Sequence, residues 1–305
     1  MIGYLCGYLR HHYPVEFVTS YLNNADNDDD IQDGTSLANR FNIKINPPVF
    51  RFSKSKYFPD KETNSIYKGI GSIKYLNDKV GDELYSLRNN IYPTFIDLLE
   101  DLQSKTSLDS RQLDILIKLG FFAEFGGARY LLNTVDIFNK VSSRKQFKKL
   151  DLPLNLTEET VRAFATKETD KMFTGVDTAK LIKHMVLSLD NKDITVREKF
   201  EAESEFVGYI SYKDSRYNEN VAVVNEVKTN KYGTIFTTIY YLNNGTTETL
   251  KTDKYVYGNK PLSKFDIIYI TSINEKNKKR KIDGKWTIID EKERILEGYR
   301  RVLDE

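Results

Sequence analysis

The chain has 305 residues, 40% of them hydrophobic and 30% charged, with a formal net charge of +2. That leaves room for two or three modest domains with real cores, and it excludes a disordered or fibrous chain. The single cysteine, Cys6, excludes an internal disulfide and points to a reducing, cytoplasmic setting. No run of about 18 apolar residues offers a membrane span, and the opening MIGYLCGYLRHHYPVEF lacks the basic flank of a secretion signal.

Residues 1–22 read as an amphipathic helix broken at Pro14, with Tyr4, Leu5, Tyr8, Leu9, Phe17, Val18 and Tyr21 on its apolar face. An acidic loop, 24–30, leads into a helix that runs to Phe41. The segment IKINPPVFRF, 43–52, is extended, because each proline keeps the residue before it out of the helical region. SIYKGIGSIKYL, 65–76, is a short apolar stretch punctuated by Gly69 and Gly71. Helices are expected at 77–90, 94–104, 109–119 and 127–139, with Asp109 as an N-cap and Gly120 as a stop. Residues 140–203 are charged and read as a helical connector. From about residue 204 the pattern changes. VAVVNEV, TIFTTIYYL, ETLKTDKYVYG, FDIIYITSI and WTIID are β-branched or aromatic, and turn residues separate them. Five such strands suggest a small barrel or sandwich, followed by a last helix at 291–303.

No catalytic motif stands out. Phosphoryl transfer needs clustered carboxylates that hold two metals. The nearest acidic cluster is Asp26, Asp28, Asp29, Asp30 and Asp33. It lacks the central glycine and closing glutamate of a calcium loop, so a solvated loop is the expected reading. His11, His12 and Cys6 are too few for zinc, and His184 in LIKHMVL reads as a packed or half-buried helix position. No metal, no cofactor and no independent enzymatic activity are expected.

Six segments in order give the chain a resemblance. YLRHHYPVEF (8–17) resembles the fingers helix of the family C DNA polymerases, the bacterial DNA polymerase III alpha subunits. INPPVFRFSKSKYF (45–58) is similar to that family's I-x-PP-D-I-N-x-S strand, and YKGIGSIK (67–74) to its GIGAIKGVG segment. LDSRQLDILIKLGFFAEFGGARYLL (108–132) and EFVGYISYKDSRY (205–217) resemble two later segments, and the strands at 221–290 fall where the family has an OB domain. The resemblance implies an α+β chain: a fingers-like helical segment at 1–60, a tandem helix-hairpin-helix at 61–139, a helical connector at 140–203 and an OB-like β-barrel domain at 204–305. It implies that the sequence starts inside the fingers. The family's catalytic aspartates lie upstream, in the palm, and have no counterpart here.

The implied function is DNA binding without catalysis, by a fragment or split subunit that grips primer–template duplex and single-stranded template. A separately encoded palm-bearing chain would then be its partner. In the hairpin after Lys74 the family's two glycines are replaced: Tyr75-Leu76-Asn77 stands where GVG would be. Tyr75 is not expected to take a positive φ as freely as glycine does. Lys68, Lys74 and Lys79 remain as point charges for phosphate, or as exposed lysines on a helical module. In the second hairpin Arg111 and Arg129 are the candidates, with Gly126-Gly127 as its tight turn.

In the β domain the candidates are Lys228, Lys231, Tyr232, Phe236, Tyr240, Tyr255 and Tyr257, together with the basic run Lys276, Lys278, Lys279, Arg280 and Lys281 and the nearby Lys285. These are the stacking and backbone-tracking residue types of single-strand binding. Roughly half of the aromatics must face the core, Trp286 among them, and the basic run reads equally as a solvated hairpin tip. The rival function is a mobile-element interaction protein. It would reuse the scaffold to bind and inhibit or regulate a host replication or defence complex, and the lost glycines motivate that alternative.

Overall fold

The computed structural model describes residues 2–282 and 285–302, with side chains throughout these except at 2, 28, 155 and 279–286. The chain divides into two compact units: residues 1–194 with 205–208, and residues 195–204 with 209–305.

The first unit opens with α1 (Ile2–His12), α2 (Pro14–Asn23) and α3 (Asp28–Arg40). Pro14 stands in the first turn of α2, where its missing N–H costs nothing and its fixed φ suits the helix. Part of the acidic run is the start of α3 and not a loop. Asn27 caps that helix by accepting the Asp30 N–H at 2.9 Å. The Asp28 side chain lies outside the described residues. α2 turns Val15, Val18 and Leu22 onto Ala38, Ile43, Tyr57 and Ile66. Below it lies a small sheet of β1 (Lys44–Asn46), β2 (Phe58–Asp60) and β3 (Ser65–Tyr67). Its order is β1-β3-β2, with β1 parallel and β2 antiparallel to the central strand.

A 3-10 turn (Ile70–Ser72) precedes α4 (Asp78–Ser86), α5 (Phe95–Lys105), α6 (Ser110–Lys118) and α7 (Ala128–Val141). Local chemistry sets three of these starts. Asn77, Thr94 and Asp109 each accept an N–H from the first turn, and Thr94 and Asp109 complete capping boxes with Asp97 and Gln112. α6 ends at Gly120, which has φ +75°. The Phe121 N–H donates to the Leu116 carbonyl at 2.9 Å and the Gly120 N–H to that of Ile117 at 3.0 Å, a Schellman closure that wants a left-handed residue. The helices meet around Phe50, Phe95, Phe121 and Phe122, whose contacting rings lie 4.8 to 5.9 Å apart. Burying each ring contributes roughly 1.5–3 kcal/mol.

The connector is not helical throughout. It holds β4 (Gln146–Lys148), α8 (Glu158–Arg162), β5 (Ala165–Glu168), β6 (Met172–Val176) and α9 (Thr178–Leu187). The three strands form an antiparallel sheet, β4-β6-β5. The charges here read as helical, but a strand needs only one buried residue in two. Phe147 and Phe173, opposite each other in register and fully buried, supply it.

The second unit comprises α10 (Val196–Ala202), β7 (Val221–Thr229), β8 (Ile235–Tyr241), β9 (Thr247–Thr252), α11 (Lys254–Asn259), β10 (Ile267–Ile282) and β11 (Lys285–Arg301). The five strands close on themselves in the order β10-β11-β9-β8-β7, with β10 pairing back onto β7. Neighbours are antiparallel except β9 and β11, which run parallel. The α+β plan with an OB-like closed sheet therefore holds. Ala222, Val224, Ile239, Leu250, Ile268 and Leu296 fill its inside. α10 covers one outer patch by laying Phe200 on Val223, Tyr240 and Leu242.

Two local expectations fail here. The strand ETLKTDKYVYG ends at Thr252, because the Asp253 carboxylate accepts the N–H groups of Tyr255 and Val256 and starts α11. The expected helix at 291–303 is strand as far as Arg301. Its charge spacing suits a helix, but Ile295, Leu296 and Tyr299 are buried through the ladder with β10 and β9, and that pairing overrides local propensity. β10 and β11 also outrun the closed sheet. β7 pairs only 267–269 of β10, and β9 only 295–296 of β11. The remaining ladder is a two-stranded ribbon roughly 30 Å long. Ion pairs bind its shaft, among them Lys278–Glu291 at 3.0 Å and Lys292–Glu275 at 3.4 Å.

Candidate nucleic-acid interface

The first hairpin is the turn 73–77 between the 3-10 turn and α4. Against expectation, Tyr75 takes a positive φ there, +71°. A non-glycine residue holds such a conformation when its surroundings over-determine it. Here the Tyr75 carbonyl accepts the Gln112 Nε2 at 2.9 Å, and the ring meets Phe206 edge-on at 6.3 Å between centroids. The Lys74 N–H donates to the Phe206 carbonyl at 2.9 Å. The ring remains 43% exposed, and two cations gather on it. The Arg111 guanidinium lies 3.7 Å from its centroid and the Lys74 ammonium 5.2 Å. The tyrosine thus fills the space that a glycine would leave open and becomes a platform for positive charge. Lys79, on α4, is 3.7 Å from Glu83. An exposed i,i+4 pair of this kind contributes about 0.3–0.5 kcal/mol, so a competing anion can displace it.

Lys68 does not join them. It is 1% exposed, with its ammonium donating to the Tyr57 hydroxyl at 3.1 Å, and it cannot reach a phosphate. The second hairpin also differs from expectation. The Gly127 N–H donates to Asn191 Oδ1 at 2.8 Å, the Ala128 N–H to Asp193 Oδ1 at 3.1 Å and the Tyr130 N–H to the Lys192 carbonyl at 3.1 Å. The chain's own segment 190–193 therefore occupies the helix start where a phosphate would sit. It lies so close that a Cβ on Gly127 would stand 2.4 Å from the Lys192 carbonyl oxygen. Arg129 is half-buried on α7 beside this self-made cap.

In the second unit the outward row of β8 and β9 carries Phe236 opposite Lys251 and Thr238 opposite Thr249, with Lys228 beside Phe236 on β7. Lys228 is 2.8 Å from Glu226 and Lys251 3.3 Å from Glu293. Each cation has an acidic neighbour, but these pairs are exposed and weak. Tyr240 is not part of this surface. It is 5% exposed under Phe200, and burial pushes its hydroxyl up to about 12. Tyr241 is also pushed up to about 12, by burial first and then by the Glu248 carboxylate that accepts its hydroxyl.

The exposed aromatics are Tyr232, in the β7–β8 turn with the Lys231 ammonium 5.2 Å from its ring, and Tyr255 on α11. Tyr257, also on α11, packs partly against the inner cluster. The Lys254 ammonium lies near the same turn, 3.4 Å from where a Cβ on Gly233 would stand. Lys251 and Lys254 were missed in the sequence. The alternation Leu250-Lys251-Thr252 was the available signal for the first. Lys276 and Lys278 lie on the ribbon, paired with Glu297 and Glu291. The side chains of Lys279, Arg280, Lys281, Lys285 and Trp286 lie outside the described residues.

The remaining candidates are dispersed. Asp30 accepts from Asn27 Nδ2 at 2.9 Å as part of the start of α3. His184 is exposed on α9, tilted against Phe164, and not packed inside. Among the described residues no three His, Cys, Asp or Glu side chains are grouped to hold a metal ion, and no helix is long and apolar enough to cross a membrane.

Residues 42–132 match the family described as a helix-hairpin-helix motif, a stretch that runs from β1 through both hairpins. The DNA polymerase III subunit alpha of Ureaplasma parvum is 28% identical over 155 residues, which is 50% of this chain. That of Treponema pallidum is 27% identical over 213 residues, 68% of this chain, and that of Campylobacter jejuni 24% over 235 residues, 75% of it. The chain is a relative of the DNA polymerase III alpha subunits. It covers 16% of the length of the first two polymerase subunits and 18% of the third.

Proposed function

We propose that the chain is a DNA-binding, non-catalytic portion of a family C replicative polymerase, working in the cytoplasm as a fragment or split subunit beside a palm-bearing chain. One observation carries this reading. Within the stretch that matches the helix-hairpin-helix family, Tyr75 gathers Lys74 and Arg111 at the first hairpin, with Lys79 on the helix that follows. Duplex phosphates would meet these three cations. A single strand would follow the outward row Lys228, Phe236 and Lys251 and stack on Tyr232. The test is fluorescence anisotropy of the full chain with labelled single strands and primer–template duplexes over a salt series. Micromolar binding that weakens steeply with salt is expected, with a slope of roughly 0.7–0.9 per phosphate contact. Binding that is absent, or indifferent to salt, sinks the reading.

A second reading, an interaction protein of a mobile element that regulates a host nucleic-acid complex, is favoured by the internal cap on α7. That hairpin spends its amides on Asn191 and Asp193. Under this reading the pure chain would lack DNA affinity and would retain a host protein from lysate.

A further inference from the structure

Beyond the closed sheet β10 and β11 run on together, from the rung Glu275–Arg294 to the rung Ile282–Lys285. Successive residues of a strand point to opposite faces. Along this stretch the described side chains at 275–278 and 287–292 are exposed, apart from the half-buried Ile289. Both faces are therefore open, and among the described residues the ribbon builds no core. A two-stranded ribbon by itself is at best marginally stable in water. Cross-strand ion pairs hold this one: Lys278 with Glu291 at 3.0 Å, and Glu275 with Lys292 at 3.4 Å and Arg294 at 3.6 Å. Charge is unevenly spread along it. Residues 275–278 and 287–294 carry four cations and four carboxylates, which cancel. Residues 279–286, at the far end of the ladder, carry Lys279, Arg280, Lys281 and Lys285 against the one carboxylate of Asp283. The ribbon is neutral along its shaft and positive where it ends.

We propose that this ribbon is an arm that enters the major groove of duplex DNA, an inference that rests on the DNA-binding function proposed above. Its shape fits that ligand. The strands of a ribbon lie about 4.8 Å apart, and the major groove of B-form DNA, about 12 Å wide and about 8.5 Å deep, admits two of them. A single strand is held instead in a groove lined by stacking aromatics, and an arm open on both faces offers no such groove. The charge fits as well. The positive end is drawn between the two rows of phosphates while the balanced shaft adds little attraction, so the arm enters tip first. Ile288, 61% exposed and opposite Lys279 in the ladder, offers the apolar contact that a thymine methyl takes. An RNA duplex is a poor ligand for the same arm, because its major groove is deep and narrow.

The test compares the full chain with the triple variant Lys279→Gln, Arg280→Gln, Lys281→Gln and with the double variant Lys279→Arg, Lys281→Arg, which keeps the charge. A labelled DNA duplex, a DNA single strand and an RNA duplex of one sequence are titrated over a salt series and followed by anisotropy. The glutamine variant is expected to lower the salt slope for the DNA duplex by about 2–3 and to move the other two slopes by less than about one. The arginine variant should keep all three slopes. Equal losses on the three ligands, or a loss on the single strand alone, would overturn the proposal. Polyglutamate that displaces the labelled DNA duplex as readily as unlabelled duplex does would also overturn it, and would assign the arm to an acidic polypeptide. A chain that binds DNA with slopes untouched by the glutamine variant sinks the arm alone. A wild-type chain that binds no DNA sinks the function proposed above together with the arm.

Discussion

Replacing Tyr75 by glycine and, separately, by alanine divides the backbone of the first hairpin from its ring. Both variants lose the edge-on contact with Phe206 and the stacked Arg111. Those contacts are worth roughly 0.5–1.5 and 0.5–1 kcal/mol. Alanine keeps the left-handed conformation at φ +71°, which costs a non-glycine residue roughly 1–2 kcal/mol. Glycine relieves that cost but loses roughly 0.5–1 kcal/mol to its larger unfolded-state entropy. The expected order is wild type, then glycine, then alanine, with glycine ahead of alanine by about 1 kcal/mol. Urea unfolding followed by far-UV ellipticity, dominated by the helices of the first unit, reads the difference as a shift in midpoint at constant slope. An alanine variant as stable as the glycine variant would refute the reasoning, since no left-handed residue would then be required.

Other outcomes follow from the same geometry. Gly127→Ala forces a Cβ against the Lys192 carbonyl and should destabilise the chain by about 2–3 kcal/mol; Asp193→Ala removes the acceptor of the Ala128 N–H and should cost about 1 kcal/mol. A neutral Gly127→Ala in thermal unfolding would mean that segment 190–193 does not cap α7. The pair Lys228→Ala, Lys251→Ala should lower the salt slope of single-strand binding by about 1.4 and affect duplex binding less. An unchanged slope would remove the β8–β9 face from the strand's path. Glu168, held by Arg162 and Lys149, titrates at about 2 instead of its ordinary 4.5. Its folded value is the lower one, so its contribution is present above about 4.5 and lost as pH falls towards 2. Glu168→Gln should flatten the fall in urea midpoint over that window, and an unaltered acid profile would count against the cluster.

Much of the helical unit was legible because its signals are local. Pro14 divides two helices, Asp109 and Gln112 complete a capping box, and Gly120 closes α6, all within a few residues of the positions they control. The candidate interface was less legible. Lys68 looks like any other lysine in YKGIGSIK, and only the packing of Tyr57 over it removes it from the surface. Tyr240 shares a strand face with Phe236, but Phe200, forty residues away in the chain, covers the one and not the other.

The sequence by itself determined several helix starts in the first unit, the five-strand tail and the kinship with polymerase III alpha subunits, because capping, period and collinear motifs are written within short windows. The tertiary structure alone decided that Tyr75 is held left-handed with Arg111 on its ring and that segment 190–193 fills the second hairpin. It alone decided that 291–301 is a strand and not a helix. Each of these rests on contacts between residues far apart in the chain, whose free energy outweighs the roughly 1 kcal/mol that local propensity can oppose to them.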